Sequence, residues 1–354
     1  MEASILDAPA YQQGIRYIRI SRVGGREGLP RVCEGLGMSS AQGVRVRPLL
    51  AGDLDSADRV LRLAFGTFHE LPDPAAAFGD RDYASTRFRA APDCAWAAEV
   101  DGNVVGSVFA ARWGSFGFFG PLTVHPELWD RGIAGRLLHP VLESFERWGV
   151  RQAGLFTFAS SPKHIGLYQK HGFWPGNLTV VAAKPVASNA NGPYALASQE
   201  IANGRSTLLD EIRELTDAVY RGLDLEREIV AAATQRIGDT IVLAGGGELD
   251  GVAVCHCGAG SEAGSDTCYV KVAAVRPGSG AADRFDRLLD ACEGFAADSA
   301  LERLVAGVNT GRLDAYRHLL SRGFRIEQIG VAMHLRPDEP ALDTPEHYVI
   351  DDLR

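Results

Sequence analysis

Residues 122–138 read LTVHPELWDRGIAGRLL, and this stretch decides the fold that the chain can adopt. The apolar run up to Val124 is typical of a strand that ends before Pro126. Small residues follow at 132, 134 and 135, and a long helix with one apolar face is predicted from there to Trp148. The first N–H groups of a helix lack an internal acceptor, and small residues let a phosphate approach them. The stretch therefore predicts a diphosphate-binding turn.

Two other phosphate-binding loops are excluded. The chain has neither the Gly-x-Gly-x-x-Gly spacing of dinucleotide-binding folds nor a Gly-Lys-Ser/Thr sequence. Arg131 and Arg136 flank the small residues, and each can add a charge-assisted contact to an anion. For these arginines the alternative is a solvated charge at a helix start, and for the small residues it is a tight turn alone.

Strand-like and helix-like patterns alternate around this turn, beginning at Val44. Helices are predicted from Asp53 to Phe65, from the turn to Trp148, and over 163–171. Strands are predicted over 44–49, 95–100, 104–112, 116–124, 153–158 and 178–183. The order βα-βββ-αβαβ predicts an α/β fold of the α+β kind, with a twisted mixed sheet and helices on both faces.

The same order recurs in the second half of the chain. The strand that ends at Val124 is followed by a Leu-Leu pair 13 residues later, and so is the strand that ends at Val275. A Gly-Phe pair then ends at Phe173 and at Phe324, in both cases 49 residues after the valine. Three landmarks in one register predict a duplicated domain.

This repeat sets the predicted boundaries. They are an N-terminal extension over 1–43, a first domain over 44–186, a linker over 187–205, a second domain over 206–336 and a tail over 337–354. The extension shows no sustained periodicity beyond a short strand-like run at 17–20. It is either a flexible arm or the product of an early start codon, in which case residues 1–37 are not native.

Composition excludes several classes of protein. The 354 residues are 46% hydrophobic and 23% charged, which is typical of a globular chain with two cores. A net charge of −9 without a basic stripe argues against a nucleic-acid partner. Without a bilayer-length apolar run or a signal peptide, a cytoplasmic protein with no membrane partner is expected. The six cysteines lack the spacing of a metal site, so we expect buried thiols and no metal.

At this point the chain resembles the Gcn5-related N-acetyltransferases, the GNAT family. The family's phosphate loop is Gln/Arg-x-x-Gly-x-Gly/Ala, and residues 129–134 match it except at the first position, where Trp replaces Gln or Arg. The later family signature, Tyr-x-x-x-Gly-Phe, stands at 168–173. The resemblance is close over 45–184 and looser over 206–335. It implies two GNAT-like domains in tandem, each a mixed sheet flanked by helices.

The resemblance also implies acyl-CoA-dependent N-acyl transfer, with acetyl-CoA or another acyl-CoA as co-substrate. The acyl-CoA would lie between two separating parallel strands near 120–125 and 153–158. Its pantetheine would pair with the main chain of the segment Leu122, Thr123 and Val124. Its diphosphate would lie on the turn that contains Arg131, Gly132, Ile133, Ala134, Gly135 and Arg136.

Tyr168 is the candidate general acid. It would protonate the departing thiolate while an amine attacks the thioester carbonyl and forms a tetrahedral oxyanion; the alternative is a packing aromatic. No general base stands out. The candidates are Glu99, Glu127 and His125, each with a structural role as the alternative. Ser161 falls where the family often has a cofactor-facing Asn, although Ser also caps helices, and His164 and His171 are expected at the surface.

The second copy departs from these motifs. In register, residues 132–136 align with DRFDR at 283–287, where carboxylates and a phenyl ring would obstruct a diphosphate. Tyr168 aligns with Leu319, which cannot donate a proton, although 278–280 could form a different loop. We therefore expect a degenerate domain that covers the acceptor cleft, or a platform that stabilises the first domain or a homodimer.

The acceptor is expected to be a primary amine of a small molecule. The acidic chain and the covering second domain favour this over an amine of a protein. A non-catalytic acyl-CoA-binding sensor or scaffold is the alternative from another functional class, and a longer acyl donor also stays open.

Overall fold

The computed structural model describes residues 43–188 and 190–354. The predicted extension therefore lies outside the described residues apart from Gly43, and so do the strand-like run at 17–20 and Cys33. None of the helices in the described ranges is long and apolar enough to cross a bilayer. The five described cysteines are free, and four of them are buried.

The first half of the described chain follows the predicted order of elements. Its strands are β1 (Arg45–Pro48), β2 (Ala95–Val100), β3 (Asn103–Trp113), β4 (Phe116–Val124), β5 (Gln152–Thr157) and β6 (Trp174–Pro185). Its helices are α1 (Leu54–Phe68), α2 (Tyr83–Ala90), α3 (Ile133–Trp148) and α4 (Pro162–Lys170). Helix α2 is an addition, in a stretch where the sequence predicts irregular structure.

The second half repeats these elements. Its strands are β7 (Ala195–Leu196), β8 (Gly238–Ala244), β9 (Leu249–Gly258), β10 (Gly264–Val275), β11 (Arg303–Asn309), β12 (Arg325–His334) and β13 (Val349–Asp351). Its helices are α5 (Ala197–Ala202), α6 (Leu208–Val219), α7 (Glu226–Gln235), α8 (Ala281–Asp298) and α9 (Leu313–Ser321). Strand β11, α9 and β12 begin at 303, 313 and 325, each 151 residues after β5, α4 and β6 at 152, 162 and 174.

Regular structure also forms where the sequence predicts none. Strand β7 and helix α5 lie in the predicted linker, and β13 lies in the predicted tail. The reason is burial: Ala197 of α5 and both Val349 and Ile350 of β13 are buried in the apolar core. A two- or three-residue strand is too short to show a period, so its sequence alone does not reveal it.

The described strands form one mixed sheet. Its order is β1-β2-β3-β4-β5-β12-β6-β11-β10-β9-β8-β7, and β13 pairs with β10 beside that path. The pairs β4–β5 and β10–β11 are parallel, whereas the other pairs are antiparallel. This confirms the predicted fold class, a mixed sheet flanked by helices.

Strand β6 of the first half and its counterpart β12 of the second half are exchanged between the halves. Strand β12 lies between β5 and β6, and β6 lies between β12 and β11. The two sheets that the sequence predicts are therefore continuous, and the described residues belong to one compact unit. Backbone ladders now join the halves, so the halves cannot separate without breaking main-chain hydrogen bonds.

Both parallel pairs separate part-way along their length. Strands β4 and β5 pair only over Phe116–Phe118 and Gln152–Gly154. Strands β10 and β11 likewise pair only up to Val270 and Ala306. In the second half, β13 enters the gap and pairs with residues 272–274 of β10. Among the described residues, no strand enters the matching gap beside β4.

A buried ion pair holds β13 in its gap. The Arg312 guanidinium, whose side chain is fully buried, donates to a carboxylate oxygen of Asp351 and to the Asp351 carbonyl at 3.1 Å. Burial raises the pKa of Asp351 above its usual value, although Arg312 opposes this. The pair therefore adds little net stability, but losing one partner leaves an uncompensated buried charge.

Asp351→Asn should lower the free energy of unfolding by about 3–5 kcal/mol, because Arg312 loses its counter-charge. Urea denaturation followed by circular dichroism measures the change. The matched control is Asp314→Asn, which breaks an exposed pair with Arg317 at 3.8 Å and should cost less than about 1 kcal/mol. Equal effects of the two substitutions would contradict the claim that the Arg312–Asp351 pair holds β13 in its gap.

Candidate active site

The opening between β4 and β5 begins at a bulge in β4. Between Phe119 and Leu122, β4 has one residue more than the stretch of β3 that it faces. A bulge of this kind bends the strand that carries it, and here it coincides with the point where β4 parts from β5. Leu122 and Val124, the residues predicted to pair with pantetheine, lie past the bulge and border the opening. Thr123 between them is buried, with its hydroxyl 3.3 Å from that of Ser107.

The turn before α3 presents a row of unpaired backbone donors. The six N–H groups from Asp130 to Gly135 have no hydrogen-bond acceptor among the described residues, and the first bond of the helix runs from the Arg136 N–H to the Gly132 carbonyl. Gly132, the residue before the helix, is in the left-handed region with φ 74°, and no side chain caps the helix. Asp130 is also left-handed, with φ 66°. Such alternation gathers successive N–H groups into a concave anion-binding surface.

The space around these donors is open. No described atom lies within 4 Å of the position that a Gly132 Cβ would take. At Gly135 a Cβ would lie 3.1 Å from Nε2 of His171, so a residue without a side chain fits best there. Arg131 is exposed, whereas the Ile133 side chain is buried and anchors the helix start in the core. The contribution of Ile133 to a ligand is thus limited to its N–H.

Trp129 begins the turn, and Lys163 of α4 contacts it. The Trp129 indole N–H donates to the Val124 carbonyl at 2.7 Å, so one of the predicted pantetheine partners already accepts a bond. The Lys163 Nζ lies 2.7 Å from the Asp130 carboxylate and 5.4 Å from the Trp129 ring centroid. The sequence does not single out Lys163, because it lies far along the chain from the turn. It places a cation beside the turn.

Tyr168 lies on α4 beside the β4 bulge. Its ring packs edge-on against Phe119, the residue just before the bulge, with 5.7 Å between centroids. The side chain is buried, and its hydroxyl makes no hydrogen bond to a described residue. Burial raises the pKa of Tyr168 well above its usual value. The phenol therefore keeps its proton at neutral and mildly alkaline pH.

Among the described residues, no hydrogen bond or ring contact joins the predicted base candidates to Tyr168. Glu99 forms an ion pair with Arg47 at 2.6 Å, on β2, which β3 separates from β4. His125 and Glu127 follow the end of β4, where Glu127 is exposed. Ser161 caps α4, since its hydroxyl accepts from the His164 N–H at 3.4 Å. The capping role predicted as one alternative for Ser161 is thus present.

His164 is partly buried, although the sequence places it at the surface. Its ring lies 5.0 Å from that of Phe68 and 6.5 Å from that of Phe158. Burial, with a smaller effect from Lys163, lowers the pKa of His164 below its usual value, so the imidazole is neutral at pH 7. His164 precedes Tyr168 by four residues on α4, so the two lie on one face of the helix. That spacing was visible in the sequence.

The second half has neither an open turn before its long helix nor an open gap in the sheet. At the start of α8, the Arg284 side chain lies over the loop and donates to the Ser279 carbonyl and to Asp250, at 2.9 Å in each case. Strand β13 fills the gap beside β10. Phe285 does not obstruct the loop as predicted, because its ring is turned into the core. The obstruction comes from Arg284 and β13 instead.

Comparisons with known proteins agree with this geometry. Residues 59–173 match the model of the Acetyltransferase (GNAT) family. The chain contains a GNAT acetyltransferase domain. That match includes both the turn before α3 and Tyr168. No curated protein matches the chain.

Solved structures extend the likeness to both halves. A putative acetyltransferase from Pyrococcus horikoshii is similar at 15% identity and a TM-score of 0.62, over 88% of this chain and 95% of that one. A GCN5-related N-acetyltransferase from Sphaerobacter thermophilus is similar at 15% identity and a TM-score of 0.55, over 86% and 100%. At this identity the likeness concerns the fold, and it covers the GNAT domain together with the second half.

Gly132→Ala should weaken acetyl-CoA binding by about tenfold or more, because a methyl group would stand among the N–H donors. Calorimetry measures the dissociation constant. Gly149→Ala is the matched control: Gly149 ends α3, is also left-handed with φ 63°, and also has open space around its Cβ position. Both should cost about 1–2 kcal/mol of stability, because alanine is strained in the left-handed region. Equal affinities of the two variants would contradict a binding role for the turn.

Proposed function

We propose that the chain transfers an acetyl group from acetyl-CoA to a primary amine of a small molecule. The observation that carries this proposal is the row of unpaired N–H groups at Asp130–Gly135, open to solvent and next to a gap in the sheet. A helix start with free donors attracts anions. The gap leads from this turn toward Tyr168, which gives the thioester end of the same ligand a proton donor.

The residues present fit a diphosphate. Six free donors and the helix dipole favour its negative charge, and exposed Arg131 and Lys163 add cations near the turn. Arg136, in the first turn of α3, would add a third. Past the bulge, the main chain of Leu122 and Val124 faces the gap with no strand of the described residues paired to it on that side. Pantetheine amides can use such groups.

The chemistry follows from these positions. A neutral amine attacks the thioester carbonyl, a C–N bond forms, and the C–S bond breaks as the tetrahedral oxyanion collapses. Backbone N–H groups bordering the gap would stabilise the oxyanion. Tyr168 gives its proton to the departing thiolate, and a base must take the proton that the amine loses. His164 is a candidate for this base, because it is neutral and lies one helical turn from Tyr168.

Tyr168→Phe should lower kcat by about 10²-fold or more, since it removes only the general acid and keeps the ring that packs on Phe119. CoA release with a panel of amines measures turnover, and calorimetry should show unchanged acetyl-CoA binding. Tyr194→Phe, which removes a hydroxyl bonded to Asp298 in the second half, is the control. If the wild-type chain neither binds acetyl-CoA nor turns it over, the proposal is wrong. If the wild-type chain binds acetyl-CoA without turnover, the sensor alternative is favoured.

His164→Gln should lower kcat by about 10²-fold and flatten the acidic side of the pH profile. Burial lowers the pKa of His164, so in the wild type activity should rise as pH rises through a value below the usual pKa of histidine. The measurement is kcat between pH 5 and pH 9. His139→Gln, at an exposed histidine of α3, should keep the wild-type profile. An unchanged acidic limb in His164→Gln would exclude His164 as the base.

A further inference from the structure

A small cavity lies between the two halves, beside the β4 bulge. Its volume is about 30 Å³, and Phe118 and Gly120 of β4 form one wall. Helix α2 contributes Arg87, β3 contributes Arg112, and the second half contributes residues 227, 228 and 271. A space of this size holds one water or the end of a small ligand. Since both halves line it, the cavity is complete only with the second half in place.

A buried ion network forms the floor of this cavity. Glu262 accepts from Arg87 at 3.0 and 2.9 Å and from Lys271 at 3.0 Å. Lys271 also lies 3.0 Å from Glu228, which accepts from the Trp113 indole at 3.0 Å. The four charged side chains are at most 8% exposed. Two cations and two carboxylates therefore balance inside the protein.

Both carboxylates of the network stay ionised. Burial alone would raise the pKa of Glu262, but the charges of Arg87 and Lys271 hold it below its usual value. Burial acts in the same way on Glu228, and the Lys271 charge again lowers its pKa. Removing charges from water costs several kcal/mol per ion, so a buried network is weak evidence for stability. The network lies beside the bend of β4, so we ask what it does for the cavity there.

The network is connected directly to the bulge. Arg87 donates to the Gly120 carbonyl and, through its other terminal nitrogen, to the backbone oxygen of Arg354. Glu262 therefore orients Arg87, and Arg87 holds the carbonyl at the bend of β4. Gly120 is two strand residues from Leu122, which is about 7 Å along the strand. An amine in the cavity would thus lie close to a thioester whose pantetheine pairs at Leu122.

The remaining charges of the lining are positive. Arg112 has no ion pair among the described residues and donates only to the Gly114 carbonyl at 3.0 Å. The carboxylate nearest to Arg227 is Asp93 at 3.8 Å, and both side chains are largely exposed. In a chain of net charge −9, this cavity gathers four cationic side chains and one lining carboxylate. Arg112 and Arg227 lie outside the balanced network, and their positive charge favours an anionic group in the cavity.

We propose that this cavity receives the amine end of the acceptor and that the acceptor is a small amine that also carries a carboxylate, as an amino acid does. The carboxylate would pair with Arg112 and Arg227, and the amine would lie against Gly120. Positive surroundings disfavour an ammonium ion, so they also favour the neutral amine that direct attack needs. This inference rests on the proposed acetyl transfer and names its substrate class.

Paired acceptors provide the test. Initial rates of CoA release are measured with acetyl-CoA and a panel of L-amino acids, each beside its primary amide, which keeps the amine and the shape but lacks the charge. The acid should be preferred by about tenfold or more in kcat/KM, the size of one charge-assisted hydrogen bond. The amide has the more easily deprotonated amine, so reactivity alone would give the opposite order. Phosphoethanolamine beside ethanolamine shows whether phosphate replaces carboxylate.

Charge-removing variants locate the preference. Arg112→Gln and Arg227→Gln should each raise KM for the acids by about tenfold and leave the amides and the KM of acetyl-CoA unchanged. Arg89→Gln, at an exposed arginine two residues from Arg87 on α2, is the matched control and should behave as wild type. Equal loss with acids and amides would contradict the assignment of these two arginines.

The two proposals fail in different ways. Equal use of acids and amides, preference for amides, or turnover of neither would each overturn the acceptor class. If phosphoethanolamine is preferred over the amino acids, the anionic group of the acceptor is a phosphate and the proposed carboxylate is wrong. In any of these cases, acetyl-CoA binding together with CoA release from other amines would leave the proposed acetyl transfer standing.

Discussion

Six consecutive backbone N–H groups, from Asp130 to Gly135, have no acceptor among the described residues, and the candidate site is arranged around them. Free donors at a helix start are stable only when water or a ligand satisfies them. Gly132 keeps the space above them open, and the bulge at Gly120 turns β4 away so that a gap begins beside the same turn. The second half lacks both features, because Arg284 covers its loop and β13 fills its gap.

The exchange of β6 and β12 ties the second half to the first, although the cleft of the second half is filled. The exchange joins the halves through main-chain hydrogen bonds. Between the joined halves, Glu262 accepts from Arg87 of α2, and Arg87 in turn donates to the Gly120 carbonyl at the bend of β4. The second half thereby supplies charge and a wall to the cavity proposed for the acceptor.

The elements that could be predicted from the sequence are those with a short-range periodic pattern. The strand, turn and helix over 116–148 appear as expected, because their periods are long enough to read, and the register of the repeat is kept. The pairing of β12 with β5, the insertion of β13, and the Arg87–Glu262 contact across 175 residues depend on non-local geometry. No local period reports such contacts. The side-chain direction of Arg284 and the partial burial of His164 were hidden for the same reason.

Hydrogen–deuterium exchange with and without saturating acetyl-CoA tests the central claim most directly. If the donors at the start of α3 hold the diphosphate, amides in a peptide covering 129–137 should exchange more slowly with acetyl-CoA present. A peptide covering 280–288, the counterpart in the second half, should not change. Binding of acetyl-CoA without protection of 129–137, or with protection of 280–288 instead, would contradict the placement of the cofactor.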